Sequence, residues 1–457
     1  SANQFLKYSN SLYVVRGATS AAKNAVDSGS TVDLITNRDD WDNSKSTAVG
    51  NFIAKYAGTA GNGLTVSVCG SRDSAWNGWT YSGAFDAKPG TSDWVSARSA
   101  DGAAALDEVH VAIVDGTGTF SGSPNTVLET FANVSLASDA KTTDGAKNYI
   151  LDVLDDRSSY VWGANKPNVF GVEIASASFT NATHGADQTD VAKTTVFTSG
   201  VNSAALGTGE FSTAHDQFED ENTIQIDMLI APGVSASADH VTVVNDLVAT
   251  ATARKDCIVV ASPNRAAVVG VTDPATVTTN ITTTASTFTR SSYLVVDNNY
   301  LKVYDKYNDK YQFIPASSST AGLMAATDDV AAPWFSPAGT RRGNYLGVTS
   351  IAYNASRSQR DTLYKAGINP IANLPGQGIT LQGDKTFLGK PSAFDRINVR
   401  RLFLVLERAI KGAAQNVLFE FNDEFSRAEF VNIVEPFLRE VQGRRGITDF
   451  RVVCDET

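Results

Sequence analysis

The sequence predicts a multidomain protein of mixed α+β and α/β type, with an α/β core, a β-rich inserted domain and a C-terminal α+β domain. A strand at 224–233, a helix at 239–255 and a strand at 257–263 follow in the order of a β-α-β unit. The stretch 18–205 is rich in Ser, Thr, Gly, Asn and Asp, and its short alternating apolar runs are typical of strands and turns. The last quarter of the chain contains two long amphipathic helical patterns.

The changes in composition along the chain set the predicted domain bounds. We expect a discontinuous core at 1–17 and 206–370, an insertion at 18–205 and a C-terminal domain at 371–457. The 457 residues suffice for two to four domains of ~100–200 residues each. Because 42% of the residues are apolar, these domains can bury substantial cores.

Short apolar runs predict the elements of the insertion. Residues 64–69 alternate after a Gly-Asn-Gly turn, which predicts a strand, and 110–114 with 126–131 predict a hairpin. Helical spacing at 146–154 predicts a helix, and 160–162 predicts a strand that follows it.

The core and the C-terminal domain show longer patterns. Outside the β-α-β unit, we predict helices from Ser319 and around 358–365, and strands at 11–16, 293–296, 301–304, 311–315 and 379–381. In the C-terminal domain, 394–403 opens a helix whose apolar face includes Ile397, Leu402, Leu406 and Ile410. A strand, a second long helix and a closing strand at 450–455 are predicted to follow.

Charge and cysteine usage restrict the environment and the partners. The net charge of −11 predicts a surface that repels nucleic acid, so no direct nucleic-acid contact is expected. The sequence has no signal-peptide pattern and no apolar run near 18 residues, which predicts no membrane insertion. Cys69, Cys257 and Cys454 form no CxxC pair, and the latter two lie in apolar strand patterns, which favours buried thiols in a reducing compartment.

The motifs that resemble catalytic or cofactor sites are better interpreted as turns or surface. Residues 378–386 approach a phosphate-binding loop, but Asp384 stands where that loop needs its lysine, and a carboxylate repels phosphate. Gly116, Gly118 and Gly122 are spaced as in a hairpin turn. We therefore predict no enzymatic activity and no cofactor.

A cation site near His215 is a weaker interpretation than a solvated acidic surface. His215 and Glu219 are spaced i, i+4 beside further carboxylates. Residues 305–309 lack the glycine and the distal glutamate of a calcium loop. We therefore predict no metal site.

Arginine is concentrated in the two C-terminal helices although the whole chain is acidic. Arginine suits ion pairs at interfaces because its planar group binds carboxylates through two hydrogen bonds. A solvated charged face remains the alternative. The residues predicted to contact a partner or a neighbouring copy are Arg396, Arg400, Arg401, Arg427, Arg439, Arg444 and Arg445.

Five segments, in this order along the chain, resemble one protein family. Residues 305–309, 335–339, 366–370, 394–403 and 451–455 are similar to segments of the contractile tail sheath proteins of bacteriophages, of the myovirus type. The resemblance covers roughly 210–457, and the segments 11–16 and 37–64 fit it more loosely.

The resemblance implies a structural function. Six copies would form each disc around an inner tail tube, and the stacked discs would contract to drive the tube through the bacterial envelope for genome delivery. The implied partners are further copies of the chain, the tail tube protein, and the baseplate and tail terminator proteins. The implied location is the virion tail, with the host cytoplasm during assembly. The family's C-terminal domain faces the tube, and the outer domains are insertions into the inner core.

The resemblance also implies terminal arms that add strands to a neighbouring copy's sheet. This chain begins in an apparent helix and ends directly after a predicted strand. We therefore expect a fragment in which both arms are absent.

Two alternatives remain open from the sequence. The chain could be the sheath subunit of a tail-like bacteriocin or a secretion system. It could also be a glycan- or surface-binding module of a virion, since Trp41, Trp76, Trp79 and Trp94 all lie in the insertion. Core tryptophans in a β domain are the simpler interpretation of that group.

Overall fold

The computed structural model divides the chain into two compact units. Unit 1 comprises Ser1–Gly17 and Gly207–Thr457, and unit 2 comprises Ala18–Leu206. Unit 1 therefore contains nearly all of the predicted core together with the predicted C-terminal domain. The structure describes residues 1–27, 34–44, 51–98, 106–163, 191–234, 237–415 and 417–454.

Helices and strands are numbered along the chain, and unit 1 begins with helix α1 (Ala2–Phe5). The helices of unit 2 are α2 (Arg38–Ser44), α3 (Asp73–Gly78), α4 (Asp93–Ser96) and α5 (Ile150–Arg157). Its strands are β1 (Phe52–Ala54), β2 (Leu64–Cys69), β3 (Glu108–Asp115), β4 (Thr126–Ser135), β5 (Val161–Gly163) and β6 (Lys193–Val196).

Unit 2 is built on a four-stranded antiparallel sheet in the order β4-β3-β2-β6, and β1 pairs with β5 in a second sheet. The predicted hairpin is confirmed, since β3 pairs with β4 over the predicted residues. Asp115 fixes the turn between them, because its carboxylate accepts hydrogen bonds from the backbone N–H groups of Gly118, Thr119, Phe120 and Ser121 at 2.7–3.0 Å. The helix predicted at 146–154 lies over Ile150–Arg157.

Unit 1 continues after unit 2 with longer helices. Its helices are α6 (Thr208–Asp216), α7 (Ser237–Arg254), α8 (Arg265–Val268), α9 (Pro274–Ser286), α10 (Ser317–Val330), α11 (Arg357–Lys365), α12 (Ile397–Gln415) and α13 (Glu424–Gly443). Its strands are β7 (Met228–Ile230), β8 (Ile258–Ala261), β9 (Leu294–Asp297), β10 (Tyr300–Asp305), β11 (Lys310–Pro315), β12 (Ser350–Ile351), β13 (Ile368–Asn369), β14 (Ile371–Leu374) and β15 (Gly378–Leu381).

A parallel sheet in the order β13-β9-β8-β7 lies at the centre of unit 1. The predicted β-α-β unit is confirmed as β7, α7 and β8, although β7 begins at Met228 and not at 224. All four residues of β8 and all four of β9 are buried, as expected for a parallel sheet covered on both faces. Strands β11-β10-β12 form a separate antiparallel sheet.

The stretch 378–386 is a strand followed by a loop and does not open a helix as a phosphate-binding loop would. Residues 378–381 form β15, and α12 begins only at Ile397. The backbone N–H of Lys385 donates to the side-chain oxygen of Asn369 at 2.7 Å, so the loop is fixed from inside the unit.

Three predicted strands are wrong. Residues 11–16 have no regular secondary structure, residues 417–420 form turns and a bend, and 450–454 are also irregular. Tyr13, Val14 and Val453 are exposed. A strand needs a neighbouring strand to satisfy its backbone N–H and C=O groups. Since the described residues of this one chain place no strand beside these segments, an apolar pattern alone does not make them strands.

A buried polar group occupies the carboxyl end of the parallel sheet. The Asp297 side chain at the end of β9 accepts hydrogen bonds from Ser262 Oγ at 3.0 Å and Thr320 Oγ1 at 3.2 Å. Thr320 Oγ1 also lies 2.9 Å from the Tyr345 hydroxyl, and the Ser317 N–H at the start of α10 donates to Ser262 Oγ. Burial raises the pKa of Asp297 from its ordinary value of 3.8 to about 7.

Asp297→Asn should flatten the pH dependence of stability between pH 5 and pH 8. Because the pKa of Asp297 is raised in the folded state, this carboxyl stabilises the fold most at low pH, and the benefit is lost as the pH rises through about 7. We expect the free energy of urea unfolding to fall over this range by on the order of 2 kcal/mol more in the unsubstituted chain than in the variant. Asp305→Asn is the control, since hydrogen bonds lower the pKa of Asp305 and keep it ionised throughout. Equal slopes for the unsubstituted chain and Asp297→Asn would contradict the prediction.

Candidate protein–protein interface

The C-terminal helices α12 and α13 are attached to the rest of unit 1 by one apolar face. Ile397 and Leu404 of α12 pack in a cluster that includes Val260 and Val295 of the parallel sheet. Leu402 of α12 joins a second cluster, whose other buried members are Ala332, Trp334 and Val441. The helix pair is therefore held on the sheet through its first turns, as the predicted apolar face of α12 requires.

Helix α13 begins at a side-chain cap and ends on Trp334. The Asp423 carboxylate accepts from the backbone N–H of Ser426 at 2.8 Å, which satisfies one free donor at the N-terminus. At the other end, Trp334 Nε1 donates to the backbone oxygen of Arg444 at 3.0 Å. Both ends of the helix are thus fixed by contacts within unit 1.

Two of the predicted contact arginines are buried in unit 1. The Arg400 guanidinium donates to Ser292 Oγ at 2.5 Å and lies over the rings of Tyr293 and Phe394 at 4.3 and 4.1 Å. Arg401 pairs with Asp328 and donates to the backbone oxygen of Met324 at 3.2 Å. Only 8% of Arg400 and 5% of Arg401 is exposed. In this conformation both side chains hold α12 in place.

Arg396 is half-buried in a third internal contact. Its guanidinium lies 2.8 Å from Asp384 and donates to the Tyr364 hydroxyl. The hydrogen bond to Asp384 raises the pKa of Arg396 further. Asp384, the residue that breaks the similarity to a phosphate-binding loop, therefore pairs with an arginine of its own unit.

The other four arginines lie toward the surface. Arg439 is 70% exposed and makes an i, i+4 pair with Glu435 at 3.4 Å. Arg444 stacks over Trp334 and donates to the backbone oxygen of Ala331 at 2.9 Å. Arg427 donates to the Asn422 side chain at 2.9 Å, and Arg445 is exposed. These four, and not the three at the start of α12, are the predicted contact arginines that lie toward the surface, where Arg439 and Arg444 each pair with a glutamate of α13.

The sequence reasoning missed the most exposed apolar surface of unit 1. Leu418, Phe419 and Phe421 lie between α12 and α13, and Phe425 lies in the first turn of α13. Of their side chains, 99% of Phe419 and 85% of Phe421 is exposed. Phe419 has φ of 71°, a left-handed conformation that is strained for a bulky side chain. The sequence could have indicated this surface, because the segment that connects α12 to α13 is apolar where polar turn residues are expected. Contiguous exposed apolar surface of this kind is typical of contact with another protein chain.

The other candidate sites are His215 with its neighbouring carboxylates and the three cysteines. His215 Nδ1 is 4.0 Å from Asp246 Oδ2, and burial lowers the pKa of His215. Within the described ranges, no group of three His, Cys, Asp or Glu side chains has the arrangement of a metal site. Burial raises the pKa of the Cys257 thiol to about 12, which disfavours the reactive thiolate. Cys69 is buried as well, and Cys454 is half-buried.

The tryptophans of unit 2 are mainly core residues. Trp41 is fully buried, stacks on Trp162 with ring centroids 5.7 Å apart and donates to the Asp155 carboxylate at 3.0 Å. Trp79 is buried and donates to Ser67 Oγ at 2.8 Å. Their burial favours the core interpretation over a glycan site. In the part of the chain that the structure describes, no helix is both long enough and apolar enough to span a membrane.

The exposed aromatic segment beside the surface arginines is typical of a protein that contacts other chains. Two family models match, one described as the phage tail sheath protein central domain over residues 204–387 and one as the phage tail sheath C-terminal domain over residues 389–457. The tail sheath protein of Salmonella phage ViI is 30% identical over 507 residues, covering 99% of this chain and 80% of that protein. The chain belongs to the phage tail sheath family, which confirms the resemblance of its motifs.

Other relatives share part of their length with this chain. The tail sheath protein of Vibrio phage KVP40 is 38% identical over 276 residues, which covers 56% of this chain. The chain spans 41% of that relative and 40% of the tail sheath protein of Enterobacteria phage T4. A solved sheath tail protein from Listeria innocua superposes with a TM-score of 0.51 at 11% identity, covering 88% of this chain and 70% of the other. That likeness supports the α+β multidomain fold.

Arg401→Ala should destabilise unit 1 much more than Arg439→Ala. Removing Arg401 leaves the largely buried Asp328 carboxylate without its ion pair, and burial already raises the pKa of Asp328. We expect a loss of about 2 kcal/mol in the free energy of urea unfolding. Arg439 makes only an exposed i, i+4 pair, whose loss costs ~0.5 kcal/mol or less. Similar losses for the two variants would show that Arg401 does not hold α12.

Proposed function

We propose that copies of this chain form six-membered discs that stack around an inner tail tube and contract to drive it through a bacterial envelope. The observation that carries the proposal is the exposed aromatic segment between α12 and α13, which a single chain leaves uncovered. The energy would come from repacking of a metastable assembly, so the mechanism needs no nucleotide. The chain would act in the virion tail, assemble in the host cytoplasm, and meet baseplate and tail terminator proteins at the ends of the sheath.

Strand addition between copies is the proposed assembly contact. The segments 11–16 and 450–454 are irregular and carry exposed apolar side chains, and 417–421 is equally exposed. Each has the alternating or apolar pattern of a strand. Pairing between segments of different copies would satisfy their backbone groups and cover Phe419 and Phe421. It would also release the strained φ of Phe419.

Phe419→Ser combined with Phe421→Ser should prevent assembly without destabilising the chain. Both side chains are exposed, so their loss removes no core contact. We expect negative-stain electron microscopy of the complete gene product to show helical tubes, and the double variant to remain monomeric with an unchanged unfolding temperature. Val330→Ser, at another exposed apolar residue of unit 1, should still assemble. Tubes from the double variant would exclude this segment as the contact.

Four arginines on and directly after α13 are the proposed contact with the tube. Arg427, Arg439, Arg444 and Arg445 are the predicted contact arginines that lie toward the surface of an acidic protein. Complementary charge on the tube would position the extended sheath and speed its association. Surface ion pairs are weak individually, so they can be broken together when the sheath contracts.

Arg439→Glu combined with Arg445→Glu should weaken binding of the tube protein at least about tenfold, because reversal turns attraction into repulsion. Co-sedimentation of the complete gene product with its tube protein measures this. Arg444 is left unchanged, since it also stacks on Trp334. The matched control is Arg341→Glu combined with Arg357→Glu, an equal change of charge at two exposed arginines elsewhere in unit 1. Unchanged binding by the double variant would contradict the tube contact and leave the assembly contact untouched.

A further inference from the structure

The hairpin of β10 and β11 carries three exposed tyrosines. Tyr304, Tyr307 and Tyr311 are 50%, 85% and 56% exposed. Tyr304 and Tyr311 face each other across the two strands, with ring centroids 5.3 Å apart. Tyrosine supplies a large contact area and a hydroxyl group at low entropic cost, and it is enriched at the centres of protein interfaces. The turn itself does not require three exposed aromatic side chains, so the group is better explained as a contact surface.

Lysines give this aromatic surface a positive charge. Lys302 Nζ lies 5.1 Å from the centre of the Tyr311 ring, and Lys306 Nζ lies 5.0 Å from the centre of the Tyr307 ring. Such cation–π contacts strengthen when a partner excludes water. Since the lysine side chains already rest on the rings, less side-chain freedom is lost on binding.

The carboxylates of the hairpin accept hydrogen bonds from other groups of the same hairpin. Asp305 accepts hydrogen bonds from the Tyr307 N–H at 3.1 Å, Asn308 Nδ2 at 2.7 Å and Gln312 Nε2 at 3.0 Å. Asp309 accepts from the Tyr304 hydroxyl at 2.7 Å. These bonds fix the turn and direct both carboxylates toward the hairpin itself.

The base of the hairpin is fixed in the core of unit 1. Leu301, Val303 and Ile314 lie on the opposite face of the two strands and belong to one hydrophobic cluster with Leu323. The tyrosines and lysines are therefore presented on a rigid support, and a rigid surface binds with a smaller loss of conformational entropy.

We propose that the β10–β11 hairpin binds an acidic surface of a second copy of this chain. Charge complementarity selects that occupant, because each copy carries 49 acidic against 38 basic residues. Two such copies repel each other wherever acidic surfaces meet, and an aromatic hairpin with outward lysines is one place where the contact is attractive. The inference rests on the proposed assembly of copies but concerns a different surface from the segment between α12 and α13.

Lys306→Glu combined with Tyr307→Ser tests the contact at the tip of the hairpin. Tyr307 is mostly exposed, so the unfolding temperature should not change. We expect the concentration needed for the complete gene product to form tubes to rise at least about tenfold, as measured by sedimentation and negative-stain electron microscopy. The matched control is Tyr56→Ser combined with Lys365→Glu, which makes the same chemical changes at an exposed tyrosine and an exposed lysine elsewhere. The control should assemble as the unsubstituted protein does.

A photo-crosslinking benzoylphenylalanine in place of Tyr307 identifies the occupant. Cross-links to peptides of a second copy that are rich in Asp and Glu would support the proposal. Cross-links only to the tube protein would overturn it, and so would a hairpin variant that assembles normally. If the unsubstituted protein forms tubes and the hairpin variant does too, this inference alone fails. If the unsubstituted protein forms no assembly with or without its tube protein, the proposed function fails and this inference fails with it.

Discussion

The attachment of α12 to the central parallel sheet is the constraint on which the rest of unit 1 depends. Ile397 and Leu404 share a core cluster with the sheet, and Arg401 reaches Asp328 on α10 from a nearly fully buried position. An arginine is costly to bury unless its charge is paired and its donors are satisfied. The pairing therefore favours one placement of the helix. Further along α12, Arg408 pairs with Asp227 and Lys411 with Glu221, so the turns before the aromatic segment are also held by unit 1.

This arrangement explains why only some arginines of the C-terminal helices are available to a partner. The residues nearest the sheet, Arg396, Arg400 and Arg401, are engaged by their own unit, and those on α13 and at its end lie toward solvent. A helical amphipathic pattern shows which residues lie on the apolar face, but it does not show which charged residues meet a buried carboxylate from a distant segment. Asp328 and Asp384 are 73 and 12 positions away from their partners, so no local pattern indicates the first pair.

The fold could be predicted best where the pattern is local. The β-α-β unit, the β3–β4 hairpin and both C-terminal helices follow from hydrophobic periodicity and turn residues, and the structure places them near the predicted bounds. The strands at 11–16 and 450–454 could not be judged in this way, since strand formation depends on a partner strand that need not belong to the same chain. The aromatic segment at 418–425 was predicted in part as a strand for the same reason. An apolar run in the sequence indicates that a segment becomes buried, but it does not indicate which surface covers that segment.

An acidic protein that assembles with itself must separate the surfaces that attract from those that repel. The net charge of −11 opposes close approach of copies at long range and keeps single chains apart. In the proposed assembly, contacts between copies would depend on places where charge is absent or reversed, such as Phe419 and Phe421 between the C-terminal helices and the lysines that lie on the tyrosines of the β10–β11 hairpin. In the proposed sheath, each contact would work against the same background repulsion, so an extended form held by several contacts would still release energy when copies repack.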